Sequence, residues 1–350
     1  MAKKLVNVGG VVLGDGKIAV QSMTTVKTSD VPKSVAQILR LEEAGCDIAR
    51  VAVLDEEDAR AIKAVKDKIH IPLVADIHFS SKLAVLAVES GADKLRINPG
   101  NIGGEREIAF VADVLKAHKI PVRVGANTGS IEPEHLKKYG RSALALVESA
   151  LSNVATLEKH GINDIVISVK ASSVPLTVEA YELLAKRTDY PLHLGVTEAG
   201  TERSGVIKSS IGIGALLLKG IGDTIRVSLT SDPVKEVYAA HDILRACGIE
   251  KEFVEVVSCP TCGRCRYDCM TLAEKVTQRV YGIKKQAKVA VMGCVVNGPG
   301  EARDCDLGIA GGDGYCAIFR KGEIIEKVES DRAEQVFFER LEEFLRSYEK

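Results

Sequence analysis

Gly91-Ala92-Asp93-Lys94-Leu95-Arg96-Ile97-Asn98 reads as the end of a helix, a tight turn and a strand. The glycine suits the left-handed residue that stops a helix, and the short run after it suits a strand. The same punctuation recurs at Gly45-Cys46-Asp47, Gly161-Ile162-Asn163-Asp164 and Gly220-Ile221-Gly222-Asp223. Working outward from these marks predicts strands at Ile18–Ser22, Asp47–Val53, Pro72–Asp76, Lys94–Asn98, Val122–Gly125, Asp164–Val169, Leu192–Val196 and Thr224–Ser228. Most are followed by a helical stretch, such as Ser34–Ala44 or Ser80–Glu89. The strands are near-continuous apolar runs, as expected of parallel strands buried on both faces. Eight βα units in roughly 230 residues match a (β/α)8 barrel in count and length. The predicted fold class is therefore α/β, a TIM-type (β/α)8 barrel, with a doubly wound open sheet as the structural alternative.

After Gly248 the pattern changes. Strands are expected at Phe253–Ser258, Lys288–Met292, Leu307–Ala310 and Tyr315–Phe319, with helices at Leu272–Val280 and from Asp331 onward. These form a small α+β domain, so the expected division is residues 1–248 and 249–350.

Composition narrows the function. The 350 residues are 46% hydrophobic, enough for one large and one small domain. Lys and Arg total 47 against 48 Asp and Glu, which argues against nucleic acid as the main partner but leaves room for a small anion. Met1–Gly10 has no apolar signal-peptide core, and the most apolar stretch, Ile211–Leu218, is far short of the ~20 residues that span a bilayer. The chain is therefore expected to be cytoplasmic and independent of membranes. Trp is absent, and Phe and Tyr number only 7 and 8, which weakens an aromatic-rich binding module. All but one of the 9 cysteines lie at or after Cys247; Cys46 is the exception. Such crowding in a long chain points to metal binding in a reducing compartment rather than to a disulfide scaffold.

The densest cysteine run is Cys259-Pro260-Thr261-Cys262-Gly263-Arg264-Cys265-Arg266-Tyr267-Asp268-Cys269. Three completions compete. A zinc site would want a second Cys-x-x-Cys pair, which Cys294 does not supply. Cys259, Cys262, Cys265 and Cys269 have the spacing of a bacterial ferredoxin run, but Met270 follows where proline is usual, and no second copy exists. The third completion uses Met292-Gly293-Cys294-Val295-Val296-Asn297-Gly298-Pro299-Gly300-Glu301. Its glycines allow close backbone approach to a bulky inorganic group, and Glu301 can swing back near Cys294. Three thiolates and one carboxylate would then hold a cluster with one distinct iron. In the plainest reading Cys265, Cys269, Cys305 and Cys316 are small packing residues.

In barrels, chemistry gathers at the C-terminal ends of the strands. Those positions hold Gln21, Ser22, Arg50, Asp76, His78, Arg96, Asn98, Arg123, Asn127, Lys170, Glu198, Arg226 and Ser228. A lone arginine at a strand end is more often a surface ion pair. Arg50, Arg96, Arg123, Lys170 and Arg226 at one mouth would instead repel one another unless an anion sat among them. Guanidinium forks match phosphate oxygens, so a diphosphate is the expected guest.

The chain also resembles the 4-hydroxy-3-methylbut-2-en-1-yl diphosphate synthase family. The resemblance runs nearly end to end, through Val20-Gln21-Ser22-Met23-Thr24, Ala75-Asp76-Ile77-His78-Phe79, Arg96-Ile97-Asn98-Pro99-Gly100-Asn101-Ile102-Gly103, His193-Leu194-Gly195-Val196-Thr197-Glu198-Ala199-Gly200, Ser258-Cys259-Pro260-Thr261-Cys262-Gly263-Arg264 and Gly293 to Glu301. It implies a substrate-binding barrel and an iron–sulfur domain whose [4Fe–4S] cluster is held by Cys259, Cys262, Cys294 and Glu301. Cys265 and Cys269 depart from that pattern. It further implies reductive opening of 2-C-methyl-D-erythritol 2,4-cyclodiphosphate to 4-hydroxy-3-methylbut-2-enyl diphosphate, in isoprenoid biosynthesis. Flavodoxin or ferredoxin would deliver the two electrons. The diphosphate would be held by Arg50, Asp76, Arg96, Arg123, Asn127, Lys170, Arg226 and Ser228. Glu198 is expected to donate a proton, Glu301 to be the labile iron ligand and Asn297 to bind substrate near the iron. The alternative is a metal-stabilised binding protein without redox chemistry, on a barrel scaffold. A radical enzyme using S-adenosylmethionine is discounted, because only Cys46 lies near the first strands.

A homodimer with sites shared between chains is also expected. In a regular barrel the last helix returns the chain to the N-terminal face, away from the mouth. The link at residues 248–251 is short, and extended chain covers at most ~3.6 Å per residue. Co-expression of Glu198→Gln with Cys294→Ser tests this. Sites shared across a two-fold dimer should recover roughly a quarter of wild-type activity, whereas sites within one chain should show only the sum of the two parents.

Overall fold

A computed structural model describes residues 3–98, 102–296, 300 and 302–347. The chain divides into two compact units, Met1–Cys247 and Gly248–Lys350. Among the described residues no helix is long and apolar enough to cross a membrane.

The first unit opens with a hairpin absent from the sequence-based expectation, β1 (Val6–Val8) and β2 (Val11–Leu13). Val8 pairs with Val11 across Gly9 and Gly10, both at positive φ, so a two-residue turn closes it. Val6, Val8 and Leu13 are fully buried and pack with Ala19, Ile48, Val74 and Val166. Those four lie early in barrel strands, so the hairpin plugs the N-terminal end of the barrel with apolar surface.

The barrel strands are β3 (Ala19–Met23), β4 (Ile48–Ala52), β5 (Leu73–Asp76), β6 (Lys94–Ile97), β7 (Val122–Asn127), β8 (Ile165–Lys170), β9 (His193–Leu194) and β10 (Thr224–Ile225). All neighbours pair in parallel, in the order β8-β7-β6-β5-β4-β3-β10-β9. A parallel bridge from Ile167 to Leu192 brings the two ends of that order together. The structure is thus a near-closed barrel rather than an open sheet. β9 and β10 are shorter than expected, because the chain beyond Leu194 and Ile225 leaves the ladder to carry site residues.

Most helices begin where a short polar side chain accepts a hydrogen bond from the first turn, as Asp55, Ser80, Ser142 and Ser173 do. The first helix, Val31–Glu43, starts earlier than expected because Asp30 caps it and Pro32 fits its first turn. Behind it Gly45 takes φ +96°, and a Cβ there would strike the His241 ring at 2.7 Å. That turn therefore admits only glycine.

Strand alternation sorts the side chains. Leu95 and Ile97 face the helices in the main apolar cluster, whereas Lys94 and Arg96 point into the barrel. The outer faces are apolar as expected, but the interior is not. Gln21, Arg50, Asp76, Lys94, Arg96, Arg123, Ser168, Lys170, His193 and Thr224 are all buried.

The second unit is a five-stranded sheet, β11 (Val254–Ser258), β12 (Ala287–Met292), β13 (Leu307–Gly311), β14 (Tyr315–Arg320) and β15 (Glu323–Glu329), in sequential order. The first three strands are parallel and the last two antiparallel. β15 was not anticipated; it is mostly exposed and lacks an apolar run. Residues of the helices Cys269–Val280 and Ala333–Ser347 share one apolar cluster with the sheet, centred on Val276, Val289, Ile318 and Phe337. The helix begins at Cys269 rather than at Leu272, because Asp268 caps it.

Candidate active site

The inward side chains of the barrel strands and the residues just after them enclose a cavity of about 170 Å³. Its lining contains eight residues expected from sequence: Arg50, Asp76, Arg96, Arg123, Asn127, Lys170, Arg226 and Ser228. His78, Ser168 and Thr197 complete it. A larger cavity of about 590 Å³ lies outside the barrel between the helices Glu202–Leu217 and Pro233–Ala246. Its lining is mainly apolar and its Lys235 is paired to Glu202 at 2.6 Å. Volume alone therefore does not mark the site; convergent charge does.

Two carboxylates hold the cations in place. Asp76 Oδ1 accepts from Arg96 Nη1 at 3.1 Å, and Asp76 Oδ2 lies 3.7 Å from Arg50 Nε. Arg96 Nη1 also donates to His78 Nε2 at 2.9 Å. Burial alone would raise the Asp76 carboxyl. The His78 hydrogen bond and the guanidinium groups of Arg50, Arg96 and Arg123 outweigh it and hold the group well below the usual carboxylate range. The second carboxylate, Glu236, comes from the first turn of the helix Pro233–Ala246 and is 3% exposed. It lies 3.3 Å from Arg226 and accepts from Ser22 Oγ and Leu229 N, both at 3.0 Å. Sequence reasoning missed Glu236, because an acid in a helix's first turn is ordinary dipole compensation until its burial is known.

Positive charge still exceeds negative. Arg123 is 3% exposed, and its Nε and Nη1 have no hydrogen-bond partner among the described residues. Burial, then Arg226, pulls the Arg50 guanidinium down to about 10; burial, then Arg50 and Arg96, lowers Arg123 well below its ordinary value. Guanidinium groups keep their proton at neutral pH, so the depression reflects the cost of burying them first and their mutual repulsion second. Lys170 is lowered for the same reasons, burial first and then Arg123. A Cβ at Gly195 would meet Lys170 Nζ at 2.6 Å and the Arg226 carbonyl at 2.8 Å, so the glycine leaves room for the ammonium. The arrangement can bind a compact polyanion through several charge-assisted hydrogen bonds.

The expected proton donor, Glu198, is exposed and follows the cavity residue Thr197 without lining the cavity itself. It adopts φ +52°, a conformation that costs a non-glycine residue energy and often marks functional loops. Ser168 and Thr197 were not anticipated, since short hydroxyls at strand ends carry no signal of their own.

In the second unit the parallel strands β11 and β12 end side by side, with Ser258 opposite Val291. This places Cys259 next to Gly293, whose N–H donates to Cys259 Sγ at 3.1 Å, and Cys294 follows directly. Cys262 is exposed, and Cys259 and Cys294 are half-buried. Cys269 turns inward, its thiol donating to the Val291 carbonyl at 3.6 Å, and burial pushes it up to about 12. The ferredoxin-type use of Cys269 thus conflicts with its place in the core. Cys305 and Cys316 are buried as well, in keeping with packing roles. Cys265 stays beside the site: a Cβ at Gly293 would lie 2.9 Å from its sulfur and 3.4 Å from that of Cys259. Asn297 and Glu301 lie outside the described residues. Among the described residues no three His, Cys, Asp or Glu side chains gather as ligands of a single ion. A polynuclear cluster asks less of them, since it takes thiolates spread around a larger body. The thiol donors and the N–H aimed at Cys259 Sγ suit such a group.

Fold and site together define a (β/α)8-barrel protein with a cation-lined cavity, joined to a cysteine-bearing α+β unit. Residues 3–241 match the GcpE TIM-barrel domain and residues 255–343 the GcpE protein C-terminal domain, so the chain belongs to the GcpE family. It is 59% identical over 338 residues to the 4-hydroxy-3-methylbut-2-en-1-yl diphosphate synthase (flavodoxin) of Caldanaerobacter subterraneus subsp. tengcongensis, covering 96% of this chain and 93% of that one. It is 53% identical over 350 residues to the enzyme of the same name from Desulfotalea psychrophila, covering 99% and 96%. Among solved structures it is similar to dihydropteroate synthase from Stenotrophomonas maltophilia, with a TM-score of 0.52 and 16% identity over 69% of this chain and 96% of that one. That likeness concerns the barrel fold alone.

Two outcomes follow from the charge balance. Inorganic pyrophosphate at about 100 times its dissociation constant should stabilise the protein by ~2.7 kcal/mol, raising the melting temperature by ~4–5 °C. Arg123→Ala should lose that response without lowering the melting temperature of the ligand-free protein, because it removes an unpartnered buried cation. Asp76→Asn should instead destabilise the ligand-free protein by ~3 kcal/mol in urea unfolding at pH 7. Because the folded Asp76 carboxyl is depressed, its contribution is complete above the unfolded value near ~4 and fades only as pH falls through the lower folded value.

Proposed function

We propose that this protein converts 2-C-methyl-D-erythritol 2,4-cyclodiphosphate to 4-hydroxy-3-methylbut-2-enyl diphosphate, an oxidoreductase step of isoprenoid biosynthesis by the methylerythritol phosphate route. The observation that carries the reading is the convergence of Arg50, Arg96, Arg123, Lys170 and Arg226 on one buried cavity. The relatives' printed name gives the product, 4-hydroxy-3-methylbut-2-en-1-yl diphosphate, and flavodoxin, which supports flavodoxin as electron donor; ferredoxin is the alternative donor.

In this reading Arg50, Arg96, Arg123, Lys170 and Arg226 hold the diphosphate oxygens, with Asn127 and Ser228 as neutral donors. Asp76 and Glu236 keep the guanidinium forks oriented rather than touching the anion. Glu198 holds the proton that leaves with the departing hydroxyl as water, and its strained backbone presents the carboxyl from the loop after β9. Cys259, Cys262, Cys294 and Glu301 would hold a [4Fe–4S] cluster, which supplies electrons one at a time and a Lewis-acidic iron when bound. Asn297 completes the substrate contacts. The protein works as a dimer in the cytoplasm.

The test begins with anaerobically purified protein, which should contain ~4 Fe and ~4 sulfide per chain. It should convert the cyclodiphosphate when given reduced flavodoxin. Stoichiometric zinc with no visible absorbance would overturn the redox reading and favour a metal-stabilised binding protein. Cys294→Ala should lose the cluster while Cys265→Ala and Cys269→Ala keep it; the reverse pattern would reassign the ligands. Glu198→Gln should preserve substrate affinity and iron content while turnover falls by ~10²–10⁴. Near-normal turnover would remove Glu198 from the chemistry.

A further inference from the structure

Below the cavity lies a lysine that the binding site as described does not use. Lys94 begins β6, two residues before Arg96 and on the same inward face, so it sits one pleat deeper in the barrel, ~6.6 Å down the strand. It pairs across the sheet with Val74, and Val74 belongs to the apolar layer under the hairpin plug. Lys94 is fully buried, and its Nζ has no hydrogen-bond partner among the described residues. A charged ammonium in that position is out of reach of bulk solvent and has no counter-ion hydrogen-bonded to it among the described residues.

The groups around it make charging harder still. Arg50 comes from β4, Arg96 from its own strand, Arg123 from β7, Lys170 from β8 and Arg226 from beyond β10. His193 on β9 and Gln21 on β3 are buried and uncharged, and His193 Nε2 and both Gln21 amide atoms have no hydrogen-bond partner among the described residues. Burial, then Lys170 and Arg123, holds the imidazole well below its usual range. The carboxylates nearby, Asp76 and Glu236, are already engaged by Arg50, Arg96 and Arg226. Burial first, then Arg123 and Arg50, brings the Lys94 amine down to about 7.

We propose that Lys94 is neutral in the ligand-free barrel at mildly alkaline pH and takes a proton from solvent when the diphosphate binds, becoming a further cation of the site. The amine gains one N–H bond, no other bond changes, and the buffer supplies the proton. An anion among the cations above Lys94 offsets their repulsion, which comes after burial among the causes that lower the amine, and so favours its charged form. The lysine then reinforces the hold on the anion from below, where no solvent screens it. The inference rests on the proposed substrate, which suits the measurement. Each phosphorus of a cyclic diphosphate bears a single strongly acidic hydroxyl, so the ligand does not itself titrate near neutrality.

The test is calorimetric titration of the anaerobic full-length protein with the cyclodiphosphate, in two buffers of different ionisation heat. At pH 8 wild type should take up about 0.5–1 proton more per site than Lys94→Met. At pH 6 the difference should shrink toward zero, because Lys94 is charged before the ligand arrives. Wild-type affinity should weaken as pH rises from 7 to 9, and Lys94→Met should show a flatter profile. Lys94→Gln repeats the comparison should the methionine variant fail to fold. Equal uptake in wild type and variant at pH 8 would assign the proton to another group, such as Lys170, and overturn the inference while leaving the proposed function intact. Absence of any binding would overturn the proposed function, and this inference with it.

Discussion

The structure is organised around positive charge confined inside a barrel with too few carboxylates to balance it. Charges of one sign in a low-dielectric interior repel strongly, and each loses its hydration on burial. Arg50, Lys94, Arg96, Arg123, Lys170 and Arg226 share that interior with Asp76 and Glu236. Such a core is stable only because the rest of the fold is strongly apolar. The outward faces of the strands pack on helices along their whole length, and the hairpin seals the bottom with Val6, Val8 and Leu13.

The two carboxylates have separate tasks. Asp76 lies between Arg50 and Arg96 and fixes both forks with the help of His78. Glu236 reaches in from a helix start and ties Arg226 to Ser22 and the Leu229 backbone. Arg123 and Lys94 keep polar atoms with no hydrogen-bond partner among the described residues. Side chains held this way are oriented in advance, so a ligand would meet little reorganisation. The backbone makes room where side chains need it, at Gly195 against Lys170 and at Gly125, where a Cβ would meet Ser168 Oγ at 2.7 Å.

The second unit uses a different device. Parallel strands end together, so residues far apart in sequence, Cys259 and Gly293, become neighbours with an N–H directed at a sulfur. The same sheet decides which cysteines are buried. Cys269, Cys305 and Cys316 are buried with raised thiols, whereas Cys262 is exposed.

The sequence by itself determined the barrel, because its signals are local. Eight short strand runs, the glycine turns that precede several of them and the capping residues each need only a few neighbouring residues to be read. It also determined the cationic strand ends, since strand alternation puts Arg50, Arg96 and Arg123 on one side whatever the details of closure. Only the tertiary structure decided which charges are compensated. Glu236 looks like any helix-start acid, and Lys94 like a surface residue at a strand entrance. What sets them apart is burial and the company of side chains from other strands, and both arise from contacts across the barrel that leave no mark on the adjacent sequence. The hairpin plug belongs to the same class. Val6-Asn7-Val8-Gly9-Gly10-Val11 carries a local turn signal, but closing the barrel floor is a long-range event that required the strands of the whole barrel to be in place.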